Sequence, residues 1–269
     1  LVRGLYTAAA GALVAQMDTD TIANNLANVN TAGFKRTLMQ IQSTETMPVY
    51  RLQTDPGTTP GTSVPGKSVA QYVGQLGFGS YVYDTPANFE QGGLQQTGAP
   101  LDLAISGPGF FTIATQNGIR YTRDGSFTRN AQGQLVTQNG DLVLGQNGPI
   151  TIPDGKMTIG PTGDIVVVDP AAPNTTGVVV GTLRLTEFGN LNGLRPEGSN
   201  LFVDSGVAAP QAATQSTLTQ GYLETSNANV IKSMVGLITS QQWFNANVKM
   251  IQAQDTLNSE AITSVGQNQ

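Results

Sequence analysis

Two stretches of this chain have the residue types and spacing of a nucleotide site. Gly61-Thr62-Ser63-Val64-Pro65-Gly66-Lys67-Ser68 fits the GxxxxGK[ST] pattern of a phosphate-binding loop. Ile165-Val166-Val167-Val168-Asp169 fits the apolar strand whose last aspartate holds magnesium beside such a loop. The loop works only where a buried strand delivers the backbone to a helix N-terminus, so that N–H groups cradle phosphate. Here QTDPGTTP precedes the pattern and VAQYVGQLGFGS follows it, neither a strand nor a strong helix. No parallel sheet is expected to carry the two motifs, and nucleotide binding is not expected. Asp102, Asp124, Asp141, Asp154, Asp164 and Glu187 are of the type that pairs to hydrolyse glycosides. Most of them adjoin glycine, as in Asp124-Gly125, Asp154-Gly155 and Gly163-Asp164, where turn formation accounts for them. With no histidine and no cysteine in 269 residues, thiol nucleophiles, Ser-His-Asp triads and His- or Cys-ligated metals are excluded. The expectation is a chain with no catalytic residue, no cofactor and no metal.

Composition points away from nucleic acid and membrane. The formal charge is −5, whereas a nucleic-acid binder shows a basic face. No window of 18 consecutive apolar residues occurs, so no membrane-spanning helix is expected. Charged residues are 12% of the chain, about half the usual share. Uncharged amides fill the gap, with 19 Asn and 23 Gln. The opening GLYTAAAGALVAQM behind Arg3 has the look of a short signal peptide, but Thr7, Gly11 and Gln16 dilute its apolar run. An ordinary helix is the expected reading.

The elements that position these residues divide into two kinds. The ends read as helical. From Leu5 to Val29 there is no proline, and alanines at 8, 9, 10, 12 and 15 favour helix. Leu5, Ala9, Ala12 and Leu26 fall in one 3–4 register. Toward the other end, Val230, Met234, Leu237, Gln241, Phe244, Val248, Ile251, Asp255, Asn258, Ile262 and Val265 alternate steps of four and three. A heptad sustained for that length predicts a coiled-coil seam on a helix of roughly 54 Å. Between Gly221 and Gln269 the charges are Glu224, Lys232, Lys249, Asp255 and Glu260 alone. A solvated coiled coil carries Lys and Glu along its flanks. Helices polar but uncharged all round are instead expected to pack against several neighbours.

The middle reads as β. LDLAISGPGFFTIAT, IRYTRDGSFTRNAQGQLVTQNGDLVLG and GPITIPDGKMTIGPTGDIVVVD are short alternating runs cut by NG, DG and TGD turns. The fold class is therefore α+β: a discontinuous helical coiled-coil domain from both termini and a mainly antiparallel β central domain. The boundaries drawn are 1–36 for the N-terminal helix and 37–86 for a connecting segment containing TDPGTTPGTSVPGKS. The β-rich domain follows at 87–220, and the C-terminal helix, packing on the first, at 221–269.

Four stretches resemble one family. Residues 22–36, IANNLANVNTAGFKR, resemble the signature of bacterial flagellar axial proteins, with Asn24, Asn25, Leu26, Ala27, Asn28, Thr31, Gly33, Phe34 and Lys35 carrying the motif. RGLYTAAAG, LDLAISGPGFF with YTRDGSF, and GYLETSNANV resemble the opening, the central β region and the C-terminal motif of the same family. Gln241-Gln242-Trp243 departs from its usual pattern. The resemblance implies a structural subunit of the flagellar basal-body rod, exported without a cleaved signal. Such subunits polymerise as a helical homo-oligomer that transmits torque and surrounds the export channel. The partners it implies are copies of the chain, other rod and hook proteins, the export apparatus and outer ring proteins. A hook-type subunit and a secreted β adhesin on a coiled-coil stalk are the alternatives. Val230, Met234, Leu237, Phe244, Val248, Ile251 and Ile262, with Leu5, Ala9, Ala12 and Leu26, are the expected assembly seam. Asn24, Asn25, Asn28 and Asn227 are expected to satisfy backbone groups where helices end.

Overall fold

The computed structural model describes residues 2–51, 71–168 and 177–266. The loop pattern at 61–68 and Asp169 lie outside the described residues. The chain forms two compact units. One holds residues 1–20, 39–84 and 236–269, the other 21–38 and 85–235.

In the first unit, helix α1 (Val2–Ala27) supplies its first part and α2 (Val230–Gly266) all but its first turn and a half. Where it is described, the segment between them in sequence is built of paired strands. β1 (Gln40–Ser43) pairs with β4 (Ser80–Asp84), and β2 (Thr46–Arg51) with β3 (Gln71–Gly77), making two antiparallel ribbons. Val82 lies between the exposed Tyr81 and Tyr83, so β4 turns one edge of alternating residues inward. Gly79, in the left-handed region at φ 119°, ends the turn before β4. A side chain there would press on Ala10 of α1. Glycine thus lets the ribbon lie directly on the helix.

The second unit is the β body. Its strands are β5 (Leu94–Gln96), β6 (Leu103–Ser106), β7 (Phe110–Thr115), β8 (Gly118–Thr122), β9 (Thr128–Arg129), β10 (Leu135–Val136) and β11 (Leu142–Gly145). After them come β12 (Gly148–Pro149), β13 (Lys156–Ile159), β14 (Asp164–Val168), β15 (Val178–Thr182), β16 (Leu185–Phe188) and β17 (Leu194–Gly198). The last are β18 (Leu201–Asp204), β19 (Pro210–Ala212), β20 (Thr217–Gln220) and β21 (Tyr222–Glu224). A ten-stranded sheet runs β17-β18-β8-β7-β11-β10-β9, with β16 also on β7, β19 on β16 and β12 on β11. A second sheet is β13-β14-β15. Every strand pair described is antiparallel. Ile165 to Val168 therefore lie on β14 between two antiparallel neighbours, which is not the parallel setting a magnesium-binding strand occupies.

Alternation along the strands sorts residues between core and surface. Ile165 and Val167 of β14 are buried while their neighbours Asp164, Val166 and Val168 are half-buried. The core has two centres. Leu103, Ile105, Phe111, Ile113, Leu135, Val143 and Ile165 pack in one. In the other, Phe110 is fully buried and meets Phe89, Phe188 and Phe202 edge-on, with ring centroids 5.5, 5.5 and 6.1 Å away. Successive phenylalanines on β7 thus point to opposite sides and anchor one centre each, as the two-residue period of a strand requires.

Edge-to-face aromatic packing on top of full burial makes Phe110 a steep point in the stability of this unit. Phe110→Ala is expected to lower unfolding free energy by about 3–5 kcal/mol. Urea denaturation followed by tyrosine and tryptophan fluorescence measures the shift.

Candidate functional site

Two constellations stand out. The first lies where the N-terminal and C-terminal motifs meet. In the last turn of α1, Asn25 aims its amide at the chain beyond the helix, donating to Thr37 O (2.8 Å) and accepting from Thr37 N–H (2.9 Å). Asn28 holds its own turn, donating to Asn24 O at 2.9 Å. Gly33 follows at φ 67°, and a side chain there would run into the backbone of Arg123 and Asp124. Both conformation and space demand glycine. Its N–H donates to Glu224 O at 2.7 Å. Lys35, 2% exposed, then reaches Glu224 Oε1 at 2.5 Å and Glu90 O at 2.8 Å. Glu224, itself 1% exposed, also accepts from Gly92 N–H (2.8 Å) and from Arg123 Nη1 (3.4 Å). Arg123 donates to Gly107 O at 2.7 Å and lies over the Phe110 ring, 4.8 Å from its centroid. Asn227 completes the closure. It accepts from Arg36 N–H (2.8 Å) and donates to Asn88 O (2.8 Å) and Glu90 O (3.0 Å).

This is a buckle joining chain segments 189 residues apart. Two buried cations share one buried carboxylate. Burial pushes the Lys35 ammonium below its ordinary value of 10.5; Glu224 opposes that shift, and Arg123 adds to it. Burial likewise lowers Arg123, against the pull of Glu224. The Glu224 carboxylate, the Lys35 ammonium and both terminal nitrogens of Arg123 are taken up by other parts of the same chain, and Arg123 Nε alone of this group is buried without a hydrogen-bond partner, so the buckle closes structure rather than presenting chemistry.

The second constellation is the contact between α1 and α2. It has three rungs, and the register runs antiparallel. Gly4 faces the Gln254 amide, and a Cβ on Gly4 would come within 2.9 Å of it. Gly11 faces the Asn247 amide, where the corresponding distance is 2.7 Å. The buried Ser240 hydroxyl donates to Ala15 O at 2.9 Å and accepts from Thr19 Oγ1 at 3.1 Å. Ala8, Ala12, Val14 and Ala15 are the buried side chains of α1 in this unit. Small residues let the backbones approach closely, and the amides set the register.

The expected seam residues fall on both sides of this contact. Ala12 is buried; Leu5, Ala9, Leu26, Leu237, Phe244, Val248 and Ile251 are half-buried; Val230, Met234 and Ile262 are exposed. The line Ser240–Asn247–Gln254, one residue off the heptad that was read, makes the rungs. In the motif, Asn25, Gly33 and Lys35 are buried, Asn28, Thr31 and Phe34 half-buried, and Asn24 and Ala27 exposed. Glu224 and Arg123 escaped sequence reading because one lies in a strand and the other in a turn-rich stretch. The signal available was their position inside GYLETSNANV and YTRDGSF.

The carboxylates considered for catalysis hold turns. Asp124 accepts from Ser126 Oγ at 2.7 Å, and Asp164 from Thr162 and Thr182 hydroxyls, both at 2.6 Å. Glu187 caps Gln215 N–H (3.0 Å) and Ser216 Oγ (2.8 Å), and Asp154 pairs with Arg129. Among the described residues no three acidic groups gather as a metal would need, and no helix is long and apolar enough to cross a membrane.

Comparison with known proteins matches three family models along the chain. They are the flagella basal body rod protein at residues 5–35, the flagellar hook protein FlgE/F/G D1 domain at 104–167, and the flagellar basal body rod FlgEFG protein C-terminal at 219–264. The flagellar basal-body rod protein FlgG of Borreliella burgdorferi is 35% identical over 264 residues, covering 96% of each chain. FlgG of Caulobacter vibrioides is 36% identical over 263 residues, covering 95% of this chain and 97% of the relative. The rod protein FlgF of the same organism is 32% identical over 262 residues, covering 97% of both. The chain belongs to the flagellar basal-body rod protein family. Within that family it is a structural subunit of the basal body. The N-terminal model ends at the Lys35 side of the buckle and the C-terminal model contains the Glu224 side, so the family's two terminal modules are tied together at this point.

Removing one partner of a buried, hydrogen-bonded ion pair strands the other. Glu224→Gln is expected to cost about 3–5 kcal/mol in chemical denaturation. The pH dependence carries the sign of the Lys35 shift. Because the folded state releases this proton more readily than the unfolded chain, the unfolded chain holds more protons as pH climbs toward 10.5, and rising pH favours the folded state. Thermal melts should therefore show the wild type gaining stability relative to Lys35→Met across that alkaline range.

Proposed function

We propose that this rod subunit polymerises through α1 and α2 into a helical tube, the helices forming an inner coiled-coil layer and the β body an outer one. The tube transmits torque and encloses the export channel, and copies of the chain, other rod and hook proteins, the export apparatus and outer ring proteins are its partners. The division into terminal helices (1–36 and 221–269), a connecting segment (37–86) and a β domain (87–220) serves this arrangement.

The observation that carries the reading is the surface of the helices. Tyr6, Leu13, Met17, Met234, Val235, Ile238, Met250, Leu257 and Ile262 are large, apolar and more than half exposed. Exposed apolar surface on this scale, with few charges among it, marks association surface. The relatives are named as rod proteins, and tube formation covers these faces. The segment 37–86, whose ribbons expose Tyr50, Tyr72, Tyr81 and Tyr83, bridges to neighbouring copies. The rod reading is favoured over a hook-type subunit because the relatives matched end to end carry rod names.

Val248→Asp places a charge where the seam is half-buried. The variant is expected to lose rod assembly and motility while the β body keeps its cooperative unfolding. Complementation of a non-motile strain, together with denaturation of the purified variant, tests this, and normal rods built from Val248→Asp chains would remove the seam from the proposal.

A further inference from the structure

α1 is covered on two sides within its own unit. Gly4, Gly11 and Ala15 face α2, while Ala10 lies under Gly79 of the ribbon. Helical geometry places Tyr6, Leu13 and Met17 within roughly 40° of one another, and about 180° from Ala8 and Ala15. On α2, Trp243, Met250 and Leu257 recur every seven residues along a line beside the rungs. These six side chains are between 39% and 67% exposed.

We infer that the Tyr6–Leu13–Met17 stripe of one copy packs against the Trp243–Met250–Leu257 stripe of a second copy. The inference rests on the assembly reading above and adds which surface meets which. Three features select this occupant. A line of large residues at helical spacing is the shape another helix reads, ridge into groove. The two lines also alternate large with small: Ala9 lies between Tyr6 and Leu13, and the exposed Ala246 and Ala253 lie between the large residues on α2. Knobs of either line then meet alanine gaps in the other. Finally, the flanks are Gln16 and Asp20 on α1 and Gln242 and Lys249 on α2. A membrane-surface helix would carry a run of Lys and Arg instead. Asp20 and Lys249 are exposed, opposite in sign, and in no ion pair among the described residues.

The lengths agree, with about 16 Å of rise from Tyr6 to Met17 and about 21 Å from Trp243 to Leu257. The symmetry follows. A stripe pairing with itself would close a dimer and leave the other stripe wet. Two different stripes on one chain make a heterologous contact, which propagates into a ring or an open helix.

The chain has no cysteine, so site-directed disulfides can be read without background. Full-length Leu13→Cys and Met250→Cys chains are mixed, brought to polymerising conditions, oxidised, and resolved without reductant. A mixture of Leu13→Cys with Val207→Cys, on the exposed surface of the β body, reports random collision. The expected result is a mixed disulfide dimer at roughly ten-fold or more the yield of the control, since a held contact multiplies effective concentration. Filaments in electron micrographs with cross-linking no better than the control would overturn the pairing while leaving assembly through the helices standing. Efficient cross-linking of Leu13→Cys to itself would also overturn it. Failure of the wild-type chain to form any filament under the same conditions would overturn both this contact and the assembly reading.

Discussion

A single carboxylate, Glu224, lies between two buried cations, and the closure of the β body depends on it. Removing three charges from water is costly, and mutual attraction repays the cost only where the remaining donors are satisfied. Here the carbonyls of Glu90 and Gly107 accept from Lys35 and Arg123, the Gly92 amide donates to Glu224, and the face of Phe110 lies under the guanidinium, which leaves Arg123 Nε as the one donor of the cluster without a hydrogen-bond partner. With Lys35, Arg123 and Glu224 themselves, these groups come from five separate stretches of sequence. Ionised groups with fixed partners exclude the many near-equivalent packings that apolar side chains would allow. The position of the chain after α1 is therefore decided by chemistry. Gly33 makes the approach possible, and Asn227 ties off the backbone groups that the approach would otherwise leave unpaired.

The contact between the helices follows a different principle. Its rungs join glycine to amide and hydroxyl to carbonyl, which brings the axes close and specifies register while burying little apolar area. At about 25 cal/mol per Å² of apolar surface, alanine and glycine contribute far less than the leucines and phenylalanines of the β core. Many of the large apolar residues of α1 and α2, Tyr6, Leu13, Met17, Met250 and Leu257 among them, lie instead on outward surfaces. That allocation explains the composition. In the proposed assembly, residues facing further copies of the chain need not be charged, and an uncharged amide can serve either side of a contact. Hence 42 Asn and Gln stand beside 31 charged residues.

The architecture was legible in the sequence because its signals are strong ones. Proline-free alanine-rich and heptad-patterned ends give α1 and α2, and NG, DG and TGD turns divide the middle into antiparallel strands. Facing was harder to read. Hydrophobic periodicity marks where apolar residues recur, and on α2 they recur along more than one line. The heptad through Met234, Phe244 and Ile262 is real as a spacing, yet the contact with α1 is centred on Ser240, Asn247 and Gln254, which carry no hydrophobic signal. On α1 the same inversion holds: Leu5 and Ala9 have the apolar period, while Gly4 and Gly11 make the approach. The segment 37–86 was read as a connector from its Pro, Gly and Thr content. The described flanks are paired strands, because the alternation of QYVGQLG and SYVYD outweighs the glycines around them. The buckle was half visible. Lys35 stands in a recognisable motif, but its partner is 189 residues away, and no local pattern announces a contact at that range.

The stretch by which the chain is most readily recognised is thus buried within it. Gly33 and Lys35 are enclosed, pinned by a backbone on one side and a carboxylate on the other, so almost any replacement meets a clash or an unpaired charge. The outward helix faces obey a looser rule. At Met17 or Leu257, another unbranched or γ-branched apolar side chain would keep the stripe, because what a neighbouring helix reads is size and spacing rather than identity. Motif strength in this chain therefore measures how many internal contacts a residue must satisfy at once. The surfaces proposed to join one subunit to the next are written in spacing, and are found by asking which regularly placed apolar residues the fold leaves uncovered.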